Sequence, residues 1–262
     1  GLRMAGTMCG DEIAGLVKKK GAKTAVPAFK DKFGPWFMCC MVDAIAENIG
    51  EESFGLLEKF LPIVTKYIQA DENDVAQAAS FGIGVYAQAF KAKYAPFVKD
   101  ALKGLKELIH GEKSQDEGMS TSSWLHAIWL AFLFSCTDFA PVIDNAISSL
   151  GKLCLYIPDA VEFGKLVDEF LKLLPITKDP EEATVCHGVL LELVAKHPEL
   201  DRVQLLRIFA GLLRDEQLTH EATRKAVENK LNEWKGNTDS LKADIAKLEQ
   251  LAQEALNKHF GF

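Results

Sequence analysis

The chain has 262 residues, of which 48% are hydrophobic and 26% are charged, so it can bury a substantial core and is neither disordered nor fibrous. Its formal net charge of −7 disfavours nucleic acid as the main ligand and suits a basic partner. The six cysteines show no CxxC spacing, which argues against a disulfide framework and against a zinc module.

The first fifty residues predict helices that become stronger along the chain. Short helical patterns cover Glu12–Lys19 and Thr24–Phe33. Glycine and proline at positions 34 and 35 then interrupt the pattern. A strongly apolar helix is predicted over Trp36–Ile49, and Gly50 is expected to end it.

The next stretch reads as a hairpin of two helices, Ser53–Ala70 and Asn73–Phe90, joined by a short acidic turn. Ser53 is a plausible N-cap for the first helix. Small residues line the second helix and should let a neighbouring helix approach closely. Its apolar stripe comprises Val75, Ala78, Ala79, Gly82, Ile83, Val85 and Tyr86.

Further helix pairs follow. The helix Tyr94–His110 is separated from its partner Val142–Ile157 by an atypical insertion, residues 111–141. Its apolar run, Trp124–Cys136, is shorter than the roughly 20 residues that span a bilayer, so no membrane insertion is expected. Later helices are predicted over Val161–Leu174, Glu181–Lys196, Arg202–Arg214, Leu218–Trp234 and Ser240–His259.

The pattern of paired helices predicts the fold class. No segment shows sustained period-two alternation, and corresponding second helices recur about every 40 residues, as in HEAT arrays. We therefore predict an all-α fold, an α-solenoid of about five HEAT hairpins wound as a right-handed superhelix. The array should occupy residues 1–262 as one domain, with a C-terminal capping helix in residues 238–262.

Four ordered segments carry a family resemblance: WFMCCMVDAIAENIG, FLPIVTKYIQADENDVAQAASFGIGVYAQ, DNAISSLGKL and LPITKDPEEA. Together they resemble the C-terminal HEAT repeats of the importin-beta superfamily of nuclear transport receptors, and of its importin-5 type most closely. One departure is that Val75 is followed by Ala76, where the family usually has an arginine that pairs with a neighbouring repeat.

The resemblance implies a receptor that shuttles between cytoplasm and nucleus through the nuclear pore. Its partners would be basic cargo (nuclear localisation signals, ribosomal proteins or histones), Ran in its GTP form, and phenylalanine-glycine nucleoporins. In that family Ran is held mainly by N-terminal repeats, so this chain is expected to be the cargo-side part of a longer receptor. Cargo would lie on a concave wall built from the second helix of each pair.

Acidic residues on these second helices are the candidate cargo contacts. Asp43 and Glu47 are four residues apart, hence on one helix face, where they would meet a lysine or arginine together. Glu181 and Glu182 have an alternative role beside a helix N-terminus. The full candidate set is Asp43, Glu47, Asp74, Asp144, Glu181, Glu182 and Glu192, with Asn145 as a neutral hydrogen-bonding companion.

Catalytic and cofactor chemistry find little support. Cys186 and His187 are adjacent, but neighbouring helical side chains diverge by roughly 100° and do not form a nucleophile and base. No HExxH, P-loop or GxGxxG motif is present, so we predict no enzyme activity, metal or cofactor. The alternative to a transport receptor is a HEAT scaffold that assembles a phosphatase- or ligase-type complex.

Overall fold

The structure, a computed structural model, describes residues 22–111, 139–214, 219–235 and 238–261. All regular secondary structure in these ranges is helical, and no strand is present in them. Successive helices pack in a helical-repeat arrangement, which confirms the all-α solenoid class. The helix predicted over Glu12–Lys19, the apolar run Trp124–Cys136 and most of the 111–141 insertion lie outside the described residues.

The chain divides into two compact units, residues 1–163 and 164–262. The helices of the first unit are α1 (Ala22–Ile49), α2 (Phe54–Leu57), α3 (Leu61–Lys66), α4 (Asn73–Phe90), α5 (Ala95–His110) and α6 (Ala140–Tyr156). Short 3₁₀ turns lie at Gly50–Ser53, Tyr67–Gln69, Lys91–Tyr94 and Pro158–Ala160.

Glycines set the limits of α1 as the sequence indicated. Gly34 has φ 72° and ψ 175°, which are not helical values, so α1 consists of two helical segments joined there. Gly50 has φ 68°, a left-handed conformation that glycine adopts without steric penalty, and α1 ends just before it. Both breaks confirm the sequence interpretation.

The helix predicted over Ser53–Ala70 is instead a series of short segments. Pro62 lies in the first turn of α3 and has no N–H to donate, so a helical ladder cannot continue through it from the preceding turn. Ser53 makes no capping bond; its hydroxyl donates to the Gly50 carbonyl oxygen at 2.7 Å. The first member of this helical pair is therefore shorter and more irregular than its sequence pattern suggested.

Helix α4 lies between α1 and α6 and is buried on most of its faces. Gly82 and Gly84 are two positions apart, so they point about 200° away from each other around the helix. Gly82 faces the Asp43 side chain of α1, whereas Gly84 faces the Ser149 and Lys152 side chains of α6. The two glycines thus admit one neighbouring helix on each side. The small-residue stripe predicted the close approach at Gly82, but it did not include Gly84.

Ser149 fixes the contact between α4 and α6. The Gly84 N–H donates to Ser149 Oγ at 3.1 Å, and the same hydroxyl donates to the Ser80 carbonyl oxygen at 2.6 Å. The Ser149 hydroxyl therefore bridges the Gly84 N–H and the Ser80 carbonyl oxygen, which lie one turn apart on α4. Both bonds are buried, and they pair the Ser149 hydroxyl, which would otherwise be a buried polar group without a partner between the helices.

The second unit contains the remaining helices: α7 (Phe163–Leu173), α8 (Pro180–Lys196), α9 (Arg202–Arg214), α10 (Glu221–Trp234), α11 (Thr238–Ile245) and α12 (Gln250–Phe260). Helix α8 packs on α10, and α9 packs on α10, α11 and α12. Two arginines of α9 tie it to its neighbours. Arg202 Nε donates to Asp244 Oδ2 of α11 at 2.7 Å, and Arg207 Nη2 donates to the Leu171 carbonyl oxygen of α7 at 2.7 Å.

The single last helix predicted over Ser240–His259 is in fact two helices, with a turn at residues 246–249 between them. The apolar rows of both helices are buried against the rest of the unit. They comprise Leu241 and Ile245 on α11 and Ala252 and Leu256 on α12. The break lets both rows reach α9, and Gln253 Nε2 stabilises the turn by donating to the Leu248 carbonyl oxygen at 2.7 Å.

We expect Gly82→Ala to destabilise the protein by roughly 1–2 kcal/mol. A methyl group there would overlap the Asp43 carboxyl and come within 2.9 Å of the Tyr86 hydroxyl, and overpacking of this kind outweighs the ~1 kcal/mol by which alanine is the better helix former. The measurement is the urea midpoint of unfolding, converted with the slope of the transition.

Gly188→Ala in α8 is the matched control, because no atom lies within 4 Å of the position its methyl group would take. This variant should be neutral or more stable by up to ~1 kcal/mol. Equal midpoints for the two alanine variants would contradict the close approach at Gly82.

Candidate functional site

Eight residues on the second helices are the predicted cargo contacts, and the structure divides them into two groups by their exposure. Four side chains are exposed to solvent: Glu47, Asp74, Glu181 and Glu192. The other four are buried: Asp43, Asp144, Asn145 and Glu182. Only the exposed group is readily accessible from solvent.

Two members of the exposed group lie at helix N-termini. Asp74 is in the first turn of α4 and Glu181 is in the first turn of α8, where a carboxylate is stabilised by the helix dipole. Their carboxylates therefore stabilise the N-termini of these helices whether or not a ligand is bound.

Glu192 lies near the C-terminal end of α8, with its carboxylate 4.0 Å from Lys196 Nζ and its side chain 57% exposed. An ion pair at such exposure contributes little stability, typically below ~1 kcal/mol. Glu192 can exchange this partner for a ligand cation at small energetic cost.

Asp43 requires a correction, because it does not share an exposed face with Glu47. Its side chain is 4% exposed, and its carboxyl oxygen accepts a hydrogen bond from the Tyr86 hydroxyl at 2.5 Å. Burial raises the pKa of Asp43 well above its ordinary value, against the opposing effect of the Tyr86 hydrogen bond, while the nearby Glu47 charge raises it further. Asp43 therefore links α1 to α4 rather than facing a ligand.

Aromatic rings enclose this buried pair. The Tyr86 ring stacks on Phe90 at a centroid distance of 6.0 Å and lies 5.8 Å from the Tyr94 ring. Burial also raises the pKa of Tyr86, with the Asp43 charge as the next cause. Both groups consequently favour their protonated forms, which suits a dry layer between helices.

The other three buried candidates also have internal positions. Asn145 Nδ2 donates to the Pro141 carbonyl oxygen at 2.8 Å within α6. Asp144, beside it, is 5% exposed, and Glu182 is 3% exposed. Helical periodicity placed these residues on second helices, but it did not show how each helix is rotated against its neighbours.

Asp179 is a helix-capping residue that the sequence interpretation missed. Its carboxylate accepts from the Glu181 and Glu182 N–H groups at 3.1 and 3.0 Å, so it is the N-cap of α8. The run Asp-Pro-Glu-Glu held the signal, since an aspartate before a proline at the first helical position is a typical helix start.

The cysteine and histidine side chains of the described ranges form no evident reactive or metal-binding arrangement. Cys186 and His187 are both buried. Within the described ranges, no group of three histidine, cysteine or acidic side chains is arranged to hold a metal ion. Among the helices of those ranges, none combines the length and apolarity that crossing a membrane requires.

Comparison with known proteins adds distant relatives. No protein-family model matches the chain. It is similar to the "Probable importin-5 homolog" of Dictyostelium discoideum, with 25% identity over 151 residues, which cover 56% of this chain and 13% of that protein. It is also similar to the "Probable importin subunit beta-4" of Schizosaccharomyces pombe, with 23% identity over 208 residues, which cover 70% of this chain and 19% of that protein.

These similarities support a relationship to the importin-beta superfamily of karyopherin-like transport proteins. They do not single out the importin-5 type, because importins of two kinds match at nearly the same identity. The chain spans less than one fifth of the length of either relative.

We expect Asp43→Asn to raise the melting temperature at pH 8 and to leave it nearly unchanged at pH 4. The Asp43 carboxyl has a higher pKa in the fold than in the unfolded chain, so the folded state binds more protons above about pH 4. The neutral Asp43 carboxyl therefore makes its full contribution to stability below about pH 4, and this contribution is lost as the pH rises. Thermal unfolding followed by circular dichroism across this range measures the difference.

Glu58→Gln is the control for this titration, since Glu58 is exposed and lies on the surface of the same unit. It should keep the pH profile of the unmodified protein. A melting temperature that falls further at pH 8 than at pH 4 in Asp43→Asn would show that the charged carboxylate, not the neutral one, is the stabilising form.

Proposed function

We propose that this chain is the cargo-binding part of an importin-beta-type nuclear transport receptor of the importin-5 kind, which carries basic proteins into the nucleus. The observation that carries the proposal is the distant similarity to two importins along a chain of stacked helical pairs. A receptor of this class acts by binding and release, which agrees with a second-helix surface that offers charge rather than a catalytic arrangement.

The cargo contacts are then Glu47, Asp74, Glu181 and Glu192, the exposed members of the predicted set. Glu181 and Glu192 are eleven residues apart on α8, which places them about 16 Å apart along the axis and within about 20° of the same face. An extended peptide of about five residues covers that distance. Two basic side chains about five positions apart in a cargo segment would therefore meet both carboxylates.

The net negative charge of the chain also favours a basic partner. The 37 acidic residues outnumber the 30 basic ones, and attraction between unlike charges raises the rate of encounter and weakens as salt is added. Exposed pairs contribute roughly 0.2–1 kcal/mol each, so affinity must come from several contacts together.

The family resemblance also implies binding to Ran and to the nuclear pore. Ran in its GTP form would be held mainly by N-terminal repeats of the receptor, and its binding would release cargo from the part represented here. Phenylalanine-glycine nucleoporins would bind the same receptor during passage through the pore. The protein would accordingly shuttle between cytoplasm and nucleus.

Charge reversal at Glu181 and Glu192 tests the cargo surface. We expect Glu181→Lys combined with Glu192→Lys to weaken binding of a lysine-rich import-signal peptide roughly tenfold, because two attractions become repulsions. The measurement is fluorescence anisotropy at 50 and 300 mM salt, and the affinity of the unmodified chain should fall as salt increases.

The matched control reverses two exposed acidic residues on first helices, Asp100 in α5 and Asp168 in α7. This double variant changes the net charge by the same amount. The comparison therefore separates the loss of local contacts from a change in the overall electrostatic field of the protein. If Asp100→Lys with Asp168→Lys reduces affinity as much, or if salt has no effect, the proposed cargo surface fails.

Release by Ran distinguishes a receptor from a scaffold. A receptor containing this chain together with its Ran-binding repeats should lose bound cargo when Ran loaded with GTP is added, and should keep it with Ran loaded with GDP. A pull-down with both nucleotide forms measures this. Retention of the partner in both cases would favour a HEAT scaffold that assembles a phosphatase- or ligase-type complex.

A further inference from the structure

Gly188 lies in the middle of α8, on the side of the helix that faces solvent. Cys186 and Leu190, two positions before and after it, are buried and point about 160° away from it around the helix. Glu181 and Glu192 are exposed and point within about 40° of the direction that a side chain at position 188 would take. The glycine therefore lies on the exposed face of α8, between the two carboxylates assigned above to cargo binding.

The fold does not account for a glycine at this position, although it accounts for glycines elsewhere. At Gly82, Gly84, Gly104 and Gly211 an added methyl group would come within 3.2 Å of a side chain from another segment of the chain. No atom lies within 4 Å of the corresponding position at Gly188. Because glycine in a helix interior is less favourable than alanine, a glycine that no neighbour in the fold requires indicates close approach by a partner.

The surroundings of Gly188 show what such a partner would present. On the surface of α8 its neighbours at three and four positions are Thr184, Val185, Leu191 and Glu192, all of them at least partly exposed. Without a side chain at the centre, these four residues enclose a hollow, the Gly188 notch, which can receive one side chain as a hole receives a knob. Val185 and Leu191 form opposite walls of the notch, so an apolar side chain gains most from entering it.

The position of the notch matches one residue of an extended cargo segment. Gly188 is about 6 Å along the helix axis from Glu192 and about 10 Å from Glu181. At about 3.3 Å per residue of extended chain, the notch lies opposite the residue two positions from the one that meets Glu192. Side chains two positions apart point to the same face of an extended chain, so both of these point towards α8.

We propose, resting on the cargo-binding function proposed above, that the Gly188 notch receives an apolar side chain of the cargo segment. This residue lies between the two basic residues and two positions from the one that meets Glu192. The preferred cargo is then a basic segment with an internal apolar residue such as leucine, and not an uninterrupted run of lysine and arginine. The carboxylates supply attraction, and the notch supplies selection among segments of equal charge.

The test uses three acetylated and amidated hexapeptides of equal charge, KALAAK, KAALAK and KAAAAK. The first two place leucine in the notch for opposite directions of the bound peptide. Each is titrated into the whole chain at 50 mM salt while the amide signal of Gly188 and the methyl signals of Val185 are recorded by NMR. We expect at least one leucine peptide to bind about fivefold more tightly than KAAAAK, because only leucine buries appreciable apolar surface in the notch.

Gly188→Leu fills the notch and should remove this preference, so that leucine and alanine peptides bind equally. The variant should melt no lower than the unmodified protein, because the added side chain begins in open space and leucine is the better helix former. Ala195→Leu is the matched control, since Ala195 is exposed on the same face of α8 but lies beyond the interval between Glu181 and Glu192. It should keep the preference for leucine.

The possible failures of the notch and of the cargo surface are distinguishable. Peptides that lose affinity on reversal of Glu181 and Glu192, yet bind no better with leucine, would overturn the notch and leave the cargo surface standing. A preference for leucine that persists in Gly188→Leu, or that disappears in Ala195→Leu, would also overturn the notch. Absence of salt-dependent binding by all three peptides would overturn both proposals.

Discussion

The packing of α4 between two helices is the constraint on which the first unit depends. Two glycines on opposite sides of α4 remove the side chains that would hold α1 and α6 away. At that short distance polar groups are enclosed along with apolar ones, and each must find a partner inside the layer. The Asp43–Tyr86 bond on one side and the Ser149 bridge on the other pair these groups, whereas the Ser80 hydroxyl of α4 is buried without a hydrogen-bond partner.

Enclosure also changes how charged residues contribute to the protein. Asp43 and Glu182 lie inside the layers, and so does a cation, Lys152, which is 4% exposed with its Nζ 5.3 Å from the centroid of the Phe81 ring. The net charge and the helical periodicity of a sequence do not distinguish these buried residues from surface residues, although only surface residues reach a partner. Of the acidic candidates, only Glu47, Asp74, Glu181 and Glu192 are therefore exposed to solvent.

Enclosure also places a polar ring inside the second unit. His187 of α8 is 1% exposed, and burial lowers its pKa to about 4, so the imidazole is neutral at pH 7. Exposed carboxylates on the second helices, in contrast, act through a field that salt weakens.

The sequence by itself determined the helical class, the order of the helices and several of their ends. Apolar residues at helical spacing predicted α4 through α10 within a few residues, and Gly34 and Gly50 marked breaks because their backbone conformations are ones that other residues avoid. Local chemistry was sufficient for these features. It failed for the helix predicted over Ser240–His259, where contact with α9 favoured a turn that no glycine or proline announces.

Tertiary structure alone decided which acidic residues face solvent and which lie inside, because this depends on the rotation of each helix against its neighbours. Asp43 and Glu47 are one helical turn apart, yet only the first meets Tyr86 from α4. A pocket of about 280 Å³ beside His187 likewise arises only where α8, α9 and the segment after α7 come together. Periodicity describes one helix at a time, whereas burial and cavities belong to the spaces between helices.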